Sequence, residues 1–167
     1  MADAVGGRCA AGQRWAWDGV SFEVLHPATE AYAGESKANH LSCVLRVTAG
    51  GQRVLLTSDI EAPNETALLA RYPGDLGAEV MLSPHHGSKT SSTPDFLRAV
   101  GASEVIIPVG YRNRYGHPKP EILARYETLG QRVWRSDRDG AVRVVLGEAP
   151  LAISAWRQEG RRYWQGR

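Results

Sequence analysis

Three short polar clusters carry residue types that do hydrolytic chemistry, and each follows directly on an apolar run. They are Thr57-Ser58-Asp59, Ser83-Pro84-His85-His86-Gly87-Ser88-Lys89 and Asn113-Arg114-Tyr115-Gly116-His117-Pro118. In layered α/β folds the loops at the carboxyl ends of strands converge on one edge. Gathered there, Asp59, His85, His86, Lys89, Asn113 and His117 would supply carboxylate and imidazole ligands, an electrophile and a proton donor. That is the inventory of a metal-assisted hydrolase. Each residue also has a plainer use. Asp59 could cap a helix, Lys89 could be a solvated surface charge, and His117 before a proline could pack a loop. Adjacent imidazoles point in different directions, so at most one of His85 and His86 is expected to ligate a given metal directly. The other would support it or face the substrate. His26, before Pro27, is expected to be structural, and His40 is ambiguous.

The elements that must position these clusters follow from the hydrophobic pattern. Residues 15–17 and 20–25 alternate around Asp18-Gly19, a hairpin signal suited to a type I′ turn. Residues 28–39 read as a polar loop. Residues 41–48 and 53–57 read as a second hairpin around Ala49-Gly50-Gly51. Pro63 and Asn64 open a helix that runs to about Arg71 and stops at Pro73-Gly74. Residues 79–82 form a short apolar strand. Thr93 is the expected N-cap of a helix with Pro94 at its first position. Residues 104–109 form a buried-type strand, 119–129 a helix closed by Gly130, and 132–135 with 141–146 a hairpin around residues 137–140; residues 151–155 add a last strand. Trp15, Trp17 and Trp134 sit on strand patterns and are expected in the core. The order implies an α/β domain with a mixed sheet.

Composition bounds the function classes. The chain has 167 residues, 43% hydrophobic and 23% charged, which suits one globular domain and excludes wholesale disorder. No apolar run approaches a bilayer-spanning length and no signal-type segment follows Met1, so a soluble polypeptide is expected. Net charge is +2, too small to announce nucleic-acid binding. The surplus sits in residues 156–167, which carry four Arg and one Glu, with Trp156 and Trp164 interleaved. Aromatics among arginines can stack bases, and a docking tail is the alternative. Cys9 and Cys43 form no C-x-x-C pair; a single bridge between them is one alternative, and two free buried thiols are expected.

Taken together, the clusters resemble the metallo-β-lactamase-like domain of the ComEC family, the DNA-internalisation proteins of natural competence. The resemblance runs from about Cys9 to Leu146. It rests on Cys9, Gly12 and Trp15-Ala16-Trp17-Asp18-Gly19-Val20, then Leu41-Ser42-Cys43-Val44-Leu45-Arg46-Val47, then Leu55-Leu56-Thr57-Ser58-Asp59-Ile60-Glu61. It continues through Pro84-His85-His86-Gly87-Ser88-Lys89-Thr90-Ser91-Ser92, Asn113-Arg114-Tyr115-Gly116-His117-Pro118, and Ser136-Asp137 with Gly140-Ala141-Val142. The resemblance implies an αβ/βα sandwich and two divalent ions, zinc or manganese, that activate water against a phosphodiester or ester. Asp59 matches the bridging aspartate, with Ser58 in place of the usual glycine. His85 or His86 matches the late histidine ligand, and His85, nearer the strand end, is preferred. Lys89 or His117 would stabilise charge on the phosphate or protonate the leaving oxygen, and Ser88, Asn113, Arg114 and Tyr115 would bind substrate. The resemblance further implies a parent protein in the inner membrane, this domain on the periplasmic side, and degradation of the DNA strand that is not transported.

One departure is large. The superfamily's His-x-His-x-Asp-His motif is absent, since no histidine precedes His26 and no two of the five lie two residues apart. The chain therefore reads as the C-terminal half of the fold. Residues 1–12 would be a disordered or cloning-derived start, 13–155 a partial domain and 156–167 a basic tail. Asp59 and one histidine fall short of three zinc ligands, so absent or weak metal binding and no useful hydrolysis are expected of the isolated chain. Single-stranded DNA would be the parent's partner. The missing N-terminal half would leave an exposed apolar face, and self-association through it is expected. Two other readings stay open. One is a stand-alone soluble hydrolase of the same superfamily acting on a small ester or lactone. The other is a non-catalytic module that scaffolds DNA or a partner through the Arg-rich tail, Lys89 and residues 112–114.

Overall fold

Two glycine-containing turns set the first half of the molecule. Asp18 and Gly19 take φ of 49° and 76°, and Gly50 and Gly51 take 55° and 81°. These left-handed pairs are what two-residue hairpins require. They join β1 (Arg14–Trp17) to β2 (Val20–His26) and β3 (Val44–Ala49) to β4 (Gln52–Leu56). The structure is a computed structural model that describes residues 7–34, 37–147 and 150–160.

From β4 onward the chain crosses over in parallel. α1 (Ala62–Arg71) leads to β5 (Val80–Leu82), α2 (Pro94–Val100) to β6 (Glu104–Ile107), and α3 (Pro120–Thr128) to β7 (Arg132–Arg135). The seven strands form one sheet in sequence order, antiparallel from β1 to β4 and parallel from β4 to β7. The chain is thus the expected mixed α/β fold. After the single turn α4 (Ser136–Asp139), strands β8 (Val142–Val145) and β9 (Ala152–Ala155) pair as a separate hairpin, followed by the short turn α5 (Trp156–Glu159).

The core lies between the helices and one sheet face. Leu55, Met81, Val105 and Ile107 pack there with Leu68, Phe96, Leu97, Ile122 and Tyr126. The opposite face is apolar as well. Phe22, Leu45, Val47, Leu56, Leu82 and Ile106 share it by register and are half-buried. Its β1 end is open: Trp15 is 44% and Trp17 76% exposed. This corrects the expectation that both are core. They lie on the edge strand, away from the helices, and Trp15 stacks on Phe22 at 5.1 Å between ring centroids. Trp134 is buried, as expected.

Other expectations are also corrected. Cys9 and Cys43 are not free thiols but a disulfide. Residues 9–12 are not a loose start: Ala11 N–H donates to Pro27 O and Gly12 N–H to Val24 O. That path along β2 brings Cys9 to the start of β3, with Cα atoms 6.1 Å apart. Residues 1–6 lie outside the described residues, as do 161–167 with Trp164. The polar stretch 28–39 contains the 3₁₀ turn Thr29–Ala33 and the start of Ala38–Leu41, with residues 35–36 outside the described residues.

Residues 132–146 do not form a hairpin. Arg135 N–H donates to Asp139 Oδ2 at 2.7 Å, and the Arg135 guanidinium donates to Asp137 through Nε and Nη2. These bonds wind residues 136–139 into a helical turn; among the described residues β7 pairs with β6 alone and β8 with β9. Thr93 is the N-cap of α2 with Pro94 opening the helix, as expected, but its side chain makes no cap bond. The buried Glu65 of α1 instead receives the N–H groups of Ser92 and Thr93, at 2.5 and 2.8 Å. Among the described residues no helix is long and apolar enough to cross a membrane.

Candidate functional site

The predicted clusters meet at the carboxyl ends of the parallel strands. Past β4, Thr57 donates its hydroxyl to Leu82 O at 2.8 Å, tying the ends of β4 and β5 together. Ser58 takes a left-handed φ of 50° and donates its hydroxyl to Cys43 O at 2.8 Å. The N-cap of α1 is Glu61, whose N–H donates to the Asn64 side chain at 3.0 Å. Asp59 therefore does not cap the helix, and its side chain is 41% exposed.

Past β5 the chain makes an unusual turn. His85, His86 and Gly87 take φ of 46°, 55° and 76°, three successive left-handed residues. Each non-glycine residue there costs on the order of 1–2 kcal/mol, so the surroundings must impose the conformation. His85 N–H donates to Ser58 O at 3.0 Å, Ser91 Oγ to Pro84 O at 2.9 Å, and Lys119 N–H to Gly87 O at 2.9 Å. Gly87 packs so tightly that a Cβ there would lie 2.6 Å from Pro118 Cβ. Strain held in this way is characteristic of functional loops.

The turn sends the two imidazoles to different carboxylates. His86 Nδ1–H donates to Pro108 O at 2.7 Å, which leaves Nε2 to face Asp59 Oδ1 at 3.3 Å. His85 Nδ1 lies 3.3 Å from Glu61 Oε1, and the other Glu61 oxygen lies 3.4 Å from His40 Nε2. The sequence favours His85 as the companion of Asp59, whereas the structure puts His86 there. The His85 ring neighbours those of His86 and His117, at 6.4 and 6.1 Å.

Electrostatics follow from these contacts. Burial raises the pKa of the Glu61 carboxyl, but hydrogen bonds from Thr90, Asn39 and His40 and the proximity of His85 outweigh it, and the net shift is downward. His117 is shifted down by burial, then by Lys119, His85 and His86, so its neutral form is favoured. Its Nδ1 is buried without a hydrogen-bond partner among the described residues.

The remaining candidates line the rim or brace it. Asn113 holds the backbone of His117 at both ends, accepting its N–H at 2.9 Å and donating to its carbonyl at 2.7 Å. Ser88 is buried and bonded to Thr90 at 3.1 Å, inside the loop rather than on its surface. Tyr115 is 61% exposed; it stacks beside His117 at 6.0 Å and carries the Arg114 guanidinium 4.9 Å from its ring centroid. Lys89 is exposed. His26 is interior: Nδ1–H donates to Ser42 O at 2.9 Å, and Nε2 accepts from Asn64 at 3.3 Å.

Glu61 and Thr90 escape a reading by residue type, because a glutamate before Ala62-Pro63 looks like a helix start. The available signal is the i, i+2 spacing of Asp59 and Glu61 at one strand end. As a metal centre the arrangement is partial. An aspartate and a tautomer-fixed imidazole are suitable donors for zinc or manganese, but a catalytic zinc takes three protein ligands. Among the described residues no group of three or more His, Cys, Asp or Glu side chains could hold a metal ion.

Comparison with known proteins puts this geometry in context. No family model matches the chain. Over 160 residues, 96% of its length, it is 39% identical to competence protein ComA of Neisseria gonorrhoeae, of which it spans 23%. It is 35% identical to recombination protein 2 of Haemophilus influenzae, with 87% of this chain and 18% of the relative aligned. It is also 35% identical to ComE operon protein 3 of Bacillus subtilis, with 74% of this chain and 15% of the relative aligned. The chain therefore spans less than a quarter of each of these relatives.

Proposed function

We propose that this chain, a relative of segments of competence proteins, is the C-terminal half of a metallo-β-lactamase-type domain that hydrolyses DNA during its uptake. In this reading Asp59 and His86 are two ligands of a divalent-metal centre, and residues outside these 167 complete the set. The observation that carries it is the 3.3 Å approach of His86 Nε2 to Asp59 Oδ1, with the opposite ring nitrogen held by Pro108 O. A backbone-anchored imidazole beside a carboxylate is the usual form of a metal-binding pair.

Further observations support the reading. The second sheet face is apolar and partly open, as a sandwich half would be without its opposing layer. The exposed cations Lys89 and Arg114 suit a phosphate backbone approaching the rim. His117, whose neutral form is favoured, suits positioning or proton acceptance, and Lys89 suits the charge on a phosphate. The Cys9–Cys43 disulfide suits an oxidising compartment, which fits the outer side of an inner-membrane protein.

The test is cleavage of labelled single-stranded DNA, with zinc or manganese, by the longer protein that contains this segment. Asp59→Asn and His86→Ala should each lower turnover on the order of 100-fold. Full turnover in both variants would overturn the assignment. The incomplete ligand set favours a second reading, a non-catalytic DNA-binding module. Binding with a steep salt dependence and no metal effect would support that alternative.

A further inference from the structure

Glu61, Thr90 and His85 form a hydrogen-bond chain whose directions are fixed. A carboxylate can only accept, so the Thr90 hydroxyl donates to Glu61 Oε1 across 3.2 Å. Its only hydrogen is then used. Thr90 Oγ1 also lies 3.3 Å from His85 Nδ1, where it can only accept. Glu61 Oε1 lies 3.3 Å from the same nitrogen and likewise only accepts. The Thr90 oxygen therefore demands a hydrogen on Nδ1, and the Glu61 carboxylate, at ion-pair distance from the same nitrogen, favours it there. The second Glu61 oxygen faces His40 Nε2 at 3.4 Å, and the Asn64 side chain, which accepts from Glu61 N–H, holds the residue at the helix start.

We infer that Glu61 is a positioning residue that fixes His85 as its Nδ1–H tautomer, leaving a lone pair on Nε2 in the ring that neighbours His86 and His117. Unconstrained neutral histidine prefers hydrogen on Nε2, so the contact with Glu61 reverses the ordinary preference. In chemical terms, neutral His85 becomes a proton or ligand acceptor at Nε2 and cannot donate from it. The leaving-group proton must then come from elsewhere. The left-handed backbone at His85 and His86 is what lets one residue serve Glu61 while its neighbour serves Asp59. The tautomer stands on the geometry alone; its catalytic meaning rests on the function proposed above.

The test is nitrogen-15 NMR of the imidazoles in this chain at about pH 8.5, two units above the ordinary histidine value. His85 is assigned by its loss in His85→Gln. The expected result is hydrogen on Nδ1 in the wild type, with that proton slow to exchange. Hydrogen predominantly on Nε2 would overturn the inference without any variant. In Glu61→Ala, with the amide spectrum of β5 and β6 intact, His85 should move to predominantly Nε2–H; an unchanged tautomer would also overturn it. In the longer protein, Glu61→Ala should lower kcat at least about 10-fold with KM little changed, and Glu61→Gln, which keeps an acceptor oxygen, should restore most of it. Absence of DNA cleavage by the wild-type longer protein would refute the proposed function and leave the tautomer result standing, so the two failures are separable.

Discussion

At the scale of residues, the molecule sorts its ionisable groups by what each contacts. Glu65 is fully buried and receives two backbone N–H groups, one on each oxygen. Glu65→Gln would turn an NH₂ group toward an N–H donor, and should lower unfolding free energy by about 1–3 kcal/mol in urea titration. No loss would mean that the two bonds do not matter. The His26 pKa is lowered chiefly by burial. The fold thus prefers its neutral form, so its contribution is full above about pH 6.5 and is lost as the pH falls through the lowered folded value. Thermal unfolding should show a drop in Tm between pH 7.5 and 5 that is smaller in His26→Gln; equal drops would contradict this. Asp59, His85 and His86 are legible in sequence because such types are rare together at strand ends. The roles of Glu61, Thr90 and Glu65 are not legible, because a carboxylate near a helix start looks alike whether it caps, braces or orients.

At the scale of elements, turn chemistry decides most of what sequence can and cannot say. Asp18-Gly19 and Gly50-Gly51 announce their hairpins because few other residues tolerate those conformations. Residues 137–140 look equally turn-like, yet the side chains of Asp137 and Asp139 fold back on Arg135 and make a helical turn instead. Strands buried or half-buried on both faces, such as β5 and β6, lose the alternation that marks a half-exposed strand. The loop after β5 depends on Gly87, where both the φ of 76° and the contact with Pro118 exclude a side chain. Gly87→Ala should cost about 1–3 kcal/mol in thermal unfolding and shift the His85 and His86 ring signals in NMR. Unchanged stability and ring signals would show that the turn is not held as described.

At the scale of the whole molecule, one covalent bond and one sheet face frame the site. The disulfide joins positions 34 residues apart and ties Cys9, at the head of the segment running along β2, to Cys43, whose carbonyl accepts from Ser58. Its reduction should lower unfolding free energy by about 2–4 kcal/mol, read from denaturant midpoints with and without reductant; identical midpoints would contradict that. Two cysteines allow only one pairing, but their distance in sequence leaves open whether the fold brings them together. On the function proposed above, the apolar face opposite the helices and the pair Asp59 and His86 carry one expectation: a competent centre needs residues beyond this segment. Zinc titration by calorimetry tests this most directly, on this chain and on the longer protein with and without Asp59→Ala and His86→Ala. Tight binding in the longer protein, weakened at least about 10-fold by each substitution, with weak binding to this chain alone, is the expected result. Zinc affinity in the longer protein indifferent to both substitutions would contradict the account.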